Sequence, residues 1–188
     1  QTAAEIIGSY FRRKRAEEAL RESEERLLIL HEIDTAILHA QSPEEIAIAA
    51  LERLYDLVPC QFVSIAEVDR SQQRYRDVIL LIDAQVQAQA SDWRPISDIG
   101  SRLFQDIRQG EISLTADITA LPKSSPLEQR LAKKGIQSYV SVPLLARETP
   151  VGALNMASDT PDFFRPEHIE ILEEIGASLA VAMQQAAL

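Results

Sequence analysis

Between Ile136 and Ser158 the chain reads IQSYVSVPLLARETPVGALNMAS, two β-prone runs joined by a short polar turn. Side chains on a strand alternate between faces, so Val140, Val142 and Leu144 share one face of the first run while Tyr139, Ser141 and Pro143 share the other. In the second run Gly152, Leu154 and Met156 oppose Ala153, Asn155 and Ala157. One sheet face is therefore apolar and suited to packing on helices. The other is mixed, with small and polar side chains, as the floor of a pocket is.

The remaining elements are read around this hairpin. QFVSIAEVD and YRDVILLI, separated by the polar RSQQR, form a strand, turn, strand pattern. Ser42-Pro43-Glu44-Glu45 supplies a cap, a proline at the first helical position and a capping-box glutamate. It predicts a helix with an apolar stripe of Ile46, Ala49, Ala50, Leu54 and Leu57. Residues 83–134 are the least regular part: a short helix in IGSRLFQDIRQG, a strand-like ISLTADI, a loop PKSSP and a helix LEQRLAKKG stopped by Gly135. A last helix runs from Pro166 to about Ala186. Sequential hairpins with helices at both ends predict an antiparallel sheet in an α+β domain, and a long insert of short elements is where binding loops are placed.

From about Ala3 to Ala40 there is no proline and Gly8 is the only glycine, which predicts one long helix or two joined without a sharp break. Leu20, Leu27, Leu30 and Ile37 recur near heptad spacing, a stripe for a partner helix. RRKR at Arg12 to Arg15 is followed at once by Glu17, Glu18, Glu22, Glu24 and Glu25, with Glu17 to Arg21 and Glu22 to Arg26 as i,i+4 pairs, so it reads as a solvated helix face. A net charge of -10 over 188 residues argues against a nucleic-acid partner. No stretch approaches the roughly 18 consecutive apolar residues that span a bilayer, and the single cysteine, Cys60, excludes an intramolecular disulfide and favours the cytosol.

The stretch from Gly135 to Leu188 closely resembles the C-terminal half of a GAF domain: a glycine and serine opening a strand that ends Val-Pro-Leu, a turn to Val-Gly-x-Leu, a Phe before the last helix, and Leu, Ile and Ala residues to a terminal leucine. The resemblance extends over about Glu24 to Leu188. It implies a GAF-like antiparallel sheet with the N- and C-terminal helices packed on one face and an αβ insert over the other. Sliding Ile7-Gly8 onto Ile175-Gly176 lays Glu5 on Glu173, Ser9 on Ala177, Ala19 on Ala187 and Leu20 on Leu188. Residues 1–23 thus resemble the closing helix of a preceding GAF-like domain and a helical linker, with residues 24–188 as the GAF domain itself. Such segments belong to larger bacterial sensors, among them histidine kinases and cyclic-dinucleotide enzymes.

The chemistry known in such relatives narrows the reading. Bilin-binding members hold the chromophore through a cysteine often followed by histidine, whereas Cys60 is followed by Gln61, so a covalent bilin is not expected. The Asn, Lys, Phe, Asp and Glu signature of cyclic-nucleotide binders is not intact, and sulfoxide-reductase relatives need several cysteines. His31, His39 and His168 are the only histidines and do not cluster with a third ligand; Ser64, Ser138 and Ser141 lack a His and Asp arrangement. Asp117, in LTADI, matches an aspartate frequent in the family, but a short carboxylate after a strand is more often a turn or cap acceptor than a ligand contact.

What remains is a pocket formed by Ser64, Tyr139, Ser141 and Asn155 from the sheet, with Trp93 and Phe104 brought down from the insert, suited to a small organic ligand. Alternatively Trp93 and Phe104 plug the core and leave no cavity. The expectation is a cytoplasmic sensor domain, homodimeric through terminal helices at Leu20, Leu27, Leu30 and Ile37, with its output domain in the same parent chain, no catalytic or metal residues, no nucleic-acid or membrane contact, and an unidentified ligand. The other reading is a ligand-free dimerisation and spacer module.

Overall fold

The computed structural model describes residues 13–17, 21, 43–69, 71–82, 85–87, 91–122 and 124–186. The heptad positions Leu20, Leu27, Leu30 and Ile37, with His31 and His39, lie outside them. Residues 13–17 are helical and exposed, and Arg13 Nε donates to Glu17 at 2.7 Å, so part of the basic run is neutralised on its own helix.

Helix α1 (Pro43–Leu57) opens at the proline that the capping pattern announces. Strands β1 (Phe62–Asp69) and β2 (Arg74–Ile82) form the first hairpin, and the short β3 (Gln85–Gln87) and β4 (Arg94–Pro95) both pair with β2. The insert holds a 3-10 turn (Ile96–Ile99), α2 (Ser101–Gln109), β5 (Ser113–Thr115) and α3 (Pro126–Lys133). Strands β6 (Ser138–Ala146) and β7 (Thr149–Ser158) form the second hairpin, and α4 (Pro166–Ala186) closes the fold. Every pairing is antiparallel, in the order β3-β2-β1-β7-β6-β5. β5 pairs only with Tyr139 to Ser141, so Pro143, which lacks an N–H, lies past the last residue that needs a β5 partner.

The sheet separates two cores. On one face Leu51 and Leu54 of α1 and Leu172, Ile175 and Leu179 of α4 pack on Val63, Ile65, Val140, Val142, Leu144, Leu154 and Met156. Each fully buried large side chain there contributes about 1.5–3 kcal/mol relative to exposure. On the other face Tyr75, Tyr139, Ala153 and Ala157 meet Ile99, Leu103 and Ile107 from the insert and Leu131 of α3. The division of β6 and β7 into two faces follows the alternation in their sequence. The stripe of α1 differs: Ala47, Ala50, Leu51, Leu54 and Val58 are buried, while Ala49 and Leu57 are half-buried. The helix is rotated because it packs against α4 as well as the sheet.

The glycine of Val-Gly-x-Leu, inside β7, is explained by a close approach. A Cβ on Gly152 would stand 2.4 Å from the Ala66 carbonyl oxygen of β1, whereas one on Gly176 of α4 would make ordinary contacts at 3.4 Å with Leu144 and 3.6 Å with Val142. Gly152→Ala should therefore destabilise the chain by about 1–3 kcal/mol, as overpacking does, while Gly176→Ala should be neutral or stabilising because alanine favours the helix. Urea unfolding of both variants checks this; equal losses would contradict it.

Candidate functional site

The face of the sheet turned toward the insert carries an ordered row of polar side chains. Ser141 Oγ on β6 donates to Asn155 Oδ1 on β7 at 2.7 Å, Asn155 Nδ2 donates to Ser64 Oγ on β1 at 3.2 Å, and Ser64 Oγ donates to Asp77 Oδ1 on β2 at 3.1 Å. Register builds this row, since Ser141 and Ser64 both oppose Asn155 across the sheet. On the outer side Ser113 of β5 opposes Ser141, and its buried Oγ has no hydrogen-bond partner.

Asp77 reaches the row through a bulge. Ile65 opposes Ile79 but Ala66 opposes Asp77, so Val78 is an extra residue in β2. Ile79 then packs in the helix-side core while Tyr75 and Asp77 face the insert. Burial pushes the Asp77 carboxyl above its ordinary 3.8, opposed by the Ser64 hydrogen bond and by the charges of Arg94, Arg130 and Lys134. Arg94 Nη1 stands 3.8 Å from Asp77 Oδ2, longer than a hydrogen bond.

Above the row is a cavity of about 60 Å³. Phe62, Ser64, Tyr75, Asp77, Tyr139 and Asn155 line its floor, and Ile99, Leu103, Ile107, Leu127 and Leu131 its roof. Two tyrosines hold α3 over it. Tyr139 Oη donates to Glu128 Oε1 at 2.9 Å, and Arg130 Nη2 donates to Tyr75 Oη at 3.0 Å while Arg130 Nη1 donates to Asp98 Oδ2 at 3.1 Å. Burial pushes the Tyr139 hydroxyl up to about 12, so it stays a donor at neutral pH. Glu128 also closes the α3 capping box, accepting from the Ser125 N–H at 2.6 Å. Beyond Ile99 and Leu103 lies an open cleft of about 500 Å³, bordered also by Arg102, Leu121, Ser125 and Glu128.

Of the six residues expected in a pocket, Ser64, Tyr139 and Asn155 line the cavity. Ser141 supports it from one step away through Asn155. Phe104 packs against the insert-side core, half-buried, without lining the cavity. Trp93 does not line the cavity: the guanidinium groups of Arg74 and Arg76 lie over its ring, 4.3 and 4.5 Å from the centroid, and these two arginines alternate along β2 with the cavity-facing Tyr75 and Asp77. Asp77, Tyr75 and Glu128 escape a reading by plain alternation. A carboxylate inside the apolar run YRDVILLI is the signal that could have found Asp77.

Other candidates are placed elsewhere. Cys60 is buried in the helix-side core, its thiol pushed up to about 11 by burial and donating to the Phe62 carbonyl at 3.3 Å. Asp117 accepts from the N–H and hydroxyl of Thr119, a turn acceptor. His168 begins α4 beside Phe163, and among the described residues no group of three His, Cys, Asp or Glu could hold a metal ion.

An antiparallel sheet with helices on one face and a cavity roofed by insert helices on the other defines an α+β domain that encloses its site between sheet and insert. The profile of the GAF domain matches residues 40–184, and the chain belongs to that family. It is 23% identical over 176 residues to the circadian input-output histidine kinase CikA of Thermosynechococcus vestitus, covering 89% of this chain and 24% of that protein. The chain thus spans about a quarter of that relative's length. Among solved structures it is similar to the phycocyanobilin-bound GAF domain of a cyanobacterial phytochrome (TM-score 0.72, 17% identity, 86% of this chain and 94% of that one). The GAF domain of a phosphoenolpyruvate-protein phosphotransferase from Coxiella burnetii gives a TM-score of 0.70 at 18% identity, with 86% and 94% covered.

The raised Asp77 carboxyl carries a pH signature. A folded pKa above the unfolded one favours the protonated folded chain, so this contribution to stability is full below about pH 3.8 and is lost as pH rises through the raised value. Asp77→Asn, which keeps an acceptor for Ser64, should melt above the parent chain at pH 7, with the gap closing toward pH 4. Circular-dichroism melts across that range check it, and a variant that melts lower at pH 7 would contradict it.

Proposed function

We propose that this chain is the cytoplasmic sensing domain of a larger signalling protein, taking a small ligand in the cavity between sheet and insert. The observation that carries the reading is the cavity itself, where apolar and aromatic walls surround a few convergent polar groups. Ser64, Asn155 and Asp77 would contact the ligand, with Tyr139 and Ser141 positioning the roof and floor. The same strands offer a route outward. β6 presents Tyr139 and Ser141 toward the cavity and Val142 and Leu144 toward Gly176 of α4, so a shift of β6 on one face is felt on the other. In this reading α4 and the N-terminal helix pass the change to an output domain in the parent chain, in a homodimer paired along Leu20, Leu27, Leu30 and Ile37, with residues 1–23 as the linker from a preceding domain. Signalling of this kind needs two packings close in free energy that the ligand distinguishes.

The reading includes no covalent bilin and no catalysis. The cavity is far smaller than the roughly 300–1,000 Å³ of drug-sized ligand sites, and the Cys60 thiol stands on the opposite side of the sheet, protonated at neutral pH. That small volume also favours a second reading, a ligand-free dimerisation spacer whose insert has closed onto the sheet.

Native mass spectrometry of protein purified gently from cells, followed by denaturing spectra, tests the reading. A dimer carrying a low-mass species released on denaturation is the expected result. A dimer without added mass would favour the spacer, and a monomer without added mass at all concentrations would overturn both.

A further inference from the structure

The chemistry of the cavity floor narrows what could occupy it, given the reading that the cavity is a ligand site. We propose that it takes a small organic cation of about four to six non-hydrogen atoms, with Asp77 as counter-charge and Ser64 and Asn155 fixing its orientation.

Size comes first. A water-sized group needs about 10–15 Å³, so about 60 Å³ holds roughly four such groups, the scale of a guanidinium, an amidine or a short alkylammonium. Charge follows from the floor. Ser64 is the only side-chain hydrogen-bond donor given to the Asp77 carboxylate among the described residues, and Arg94 stops 3.8 Å away. The other cations near Asp77 lie on α3 and just past its end: Arg130 is held by Asp98 and Tyr75, and Lys134 is exposed. Asp77 Oδ1 is thus bonded to Ser64, while Oδ2 has Arg94 only at ion-pair distance and accepts no hydrogen bond among the described residues, which leaves a half-buried carboxylate in the cavity lining with lone pairs open to a cation or strong donor. Phe62, Tyr75 and Tyr139 line the same space, and aromatic rings beside a carboxylate suit an organic cation. The row is directional, each group donating toward Asp77, so the three dipoles turn their positive ends to the carboxyl and favour its ionised form, the form that serves as a counter-charge.

The test is a titration of the 15N-labelled chain, followed by amide shifts, with three probes of similar shape: methylguanidinium, its neutral isostere methylurea, and propionate. Methylguanidinium should give saturable shifts at Ser64, Asp77 and Asn155, and Asp77→Asn should weaken it by about tenfold or more, the scale of a hydrogen bond to a charged group. In the unaltered chain the same affinity should fall as pH is lowered and Asp77 takes a proton, which tests the charge without relying on the variant. Equal binding of methylurea, or preference for propionate, at these residues would overturn the cation while leaving the cavity a ligand site. No saturable shift from any probe would overturn both.

Discussion

The polar row from Ser141 to Asp77 ties four adjacent strands together by side chains on the one face where the sheet is not packed on α1 and α4. It depends on register. Slipping β1 or β7 by one residue would turn Ser64 or Asn155 into the helix-side core and put Val63 or Leu154 in the cavity, exchanging buried hydrogen bonds for unpaired polar groups. The apolar faces of α1 and α4 and the polar row thus enforce the same pairing from opposite sides.

That arrangement gives the fold an asymmetry suited to sensing. The helix side is filled with leucine, isoleucine and valine side chains, whereas the insert side uses alanines at 153 and 157 and tyrosines whose hydroxyls reach the roof. Small floor residues leave room, and Glu128 and Arg130 set how far α3 stands above it. The neighbouring cleft shares Ile99 and Leu103 with the cavity, so movement of α2 or the 3-10 turn alters both spaces at once.

Much of this was legible in the sequence where periodicity is strong. The two hairpins, the face assignments of β6 and β7, the start of α1 and the extent of α4 follow from alternation, capping and helical spacing. Ser125-Pro126-Leu127-Glu128 repeats the cap, proline and glutamate pattern of Ser42 to Glu45 and starts α3, although it sits in a stretch whose composition reads as loop. β3 and β4 were not legible because two- or three-residue strands carry no period of their own and exist through pairing with β2. Asp77 was hidden for a sharper reason: the bulge at Val78 breaks the parity on which a face assignment depends. Trp93 illustrates the converse. Its aromatic character suggested a pocket wall, but two arginines on the far face of β2 offer a cation–π stack.

The central claim is that a half-buried carboxylate ends a hydrogen-bonded row on the cavity floor. Its most direct measurement is the titration of the Asp77 side-chain carboxyl by 13C NMR, recorded together with the side-chain amide of Asn155 and the backbone amide of Ser64. The structure predicts an inflection above the ordinary aspartate value of 3.8, with Ser64 and Asn155 following the same curve. A carboxyl that titrates at or below that value would mean that burial does not dominate at Asp77, and Ser64 and Asn155 unmoved through its titration would mean that no such row closes the cavity.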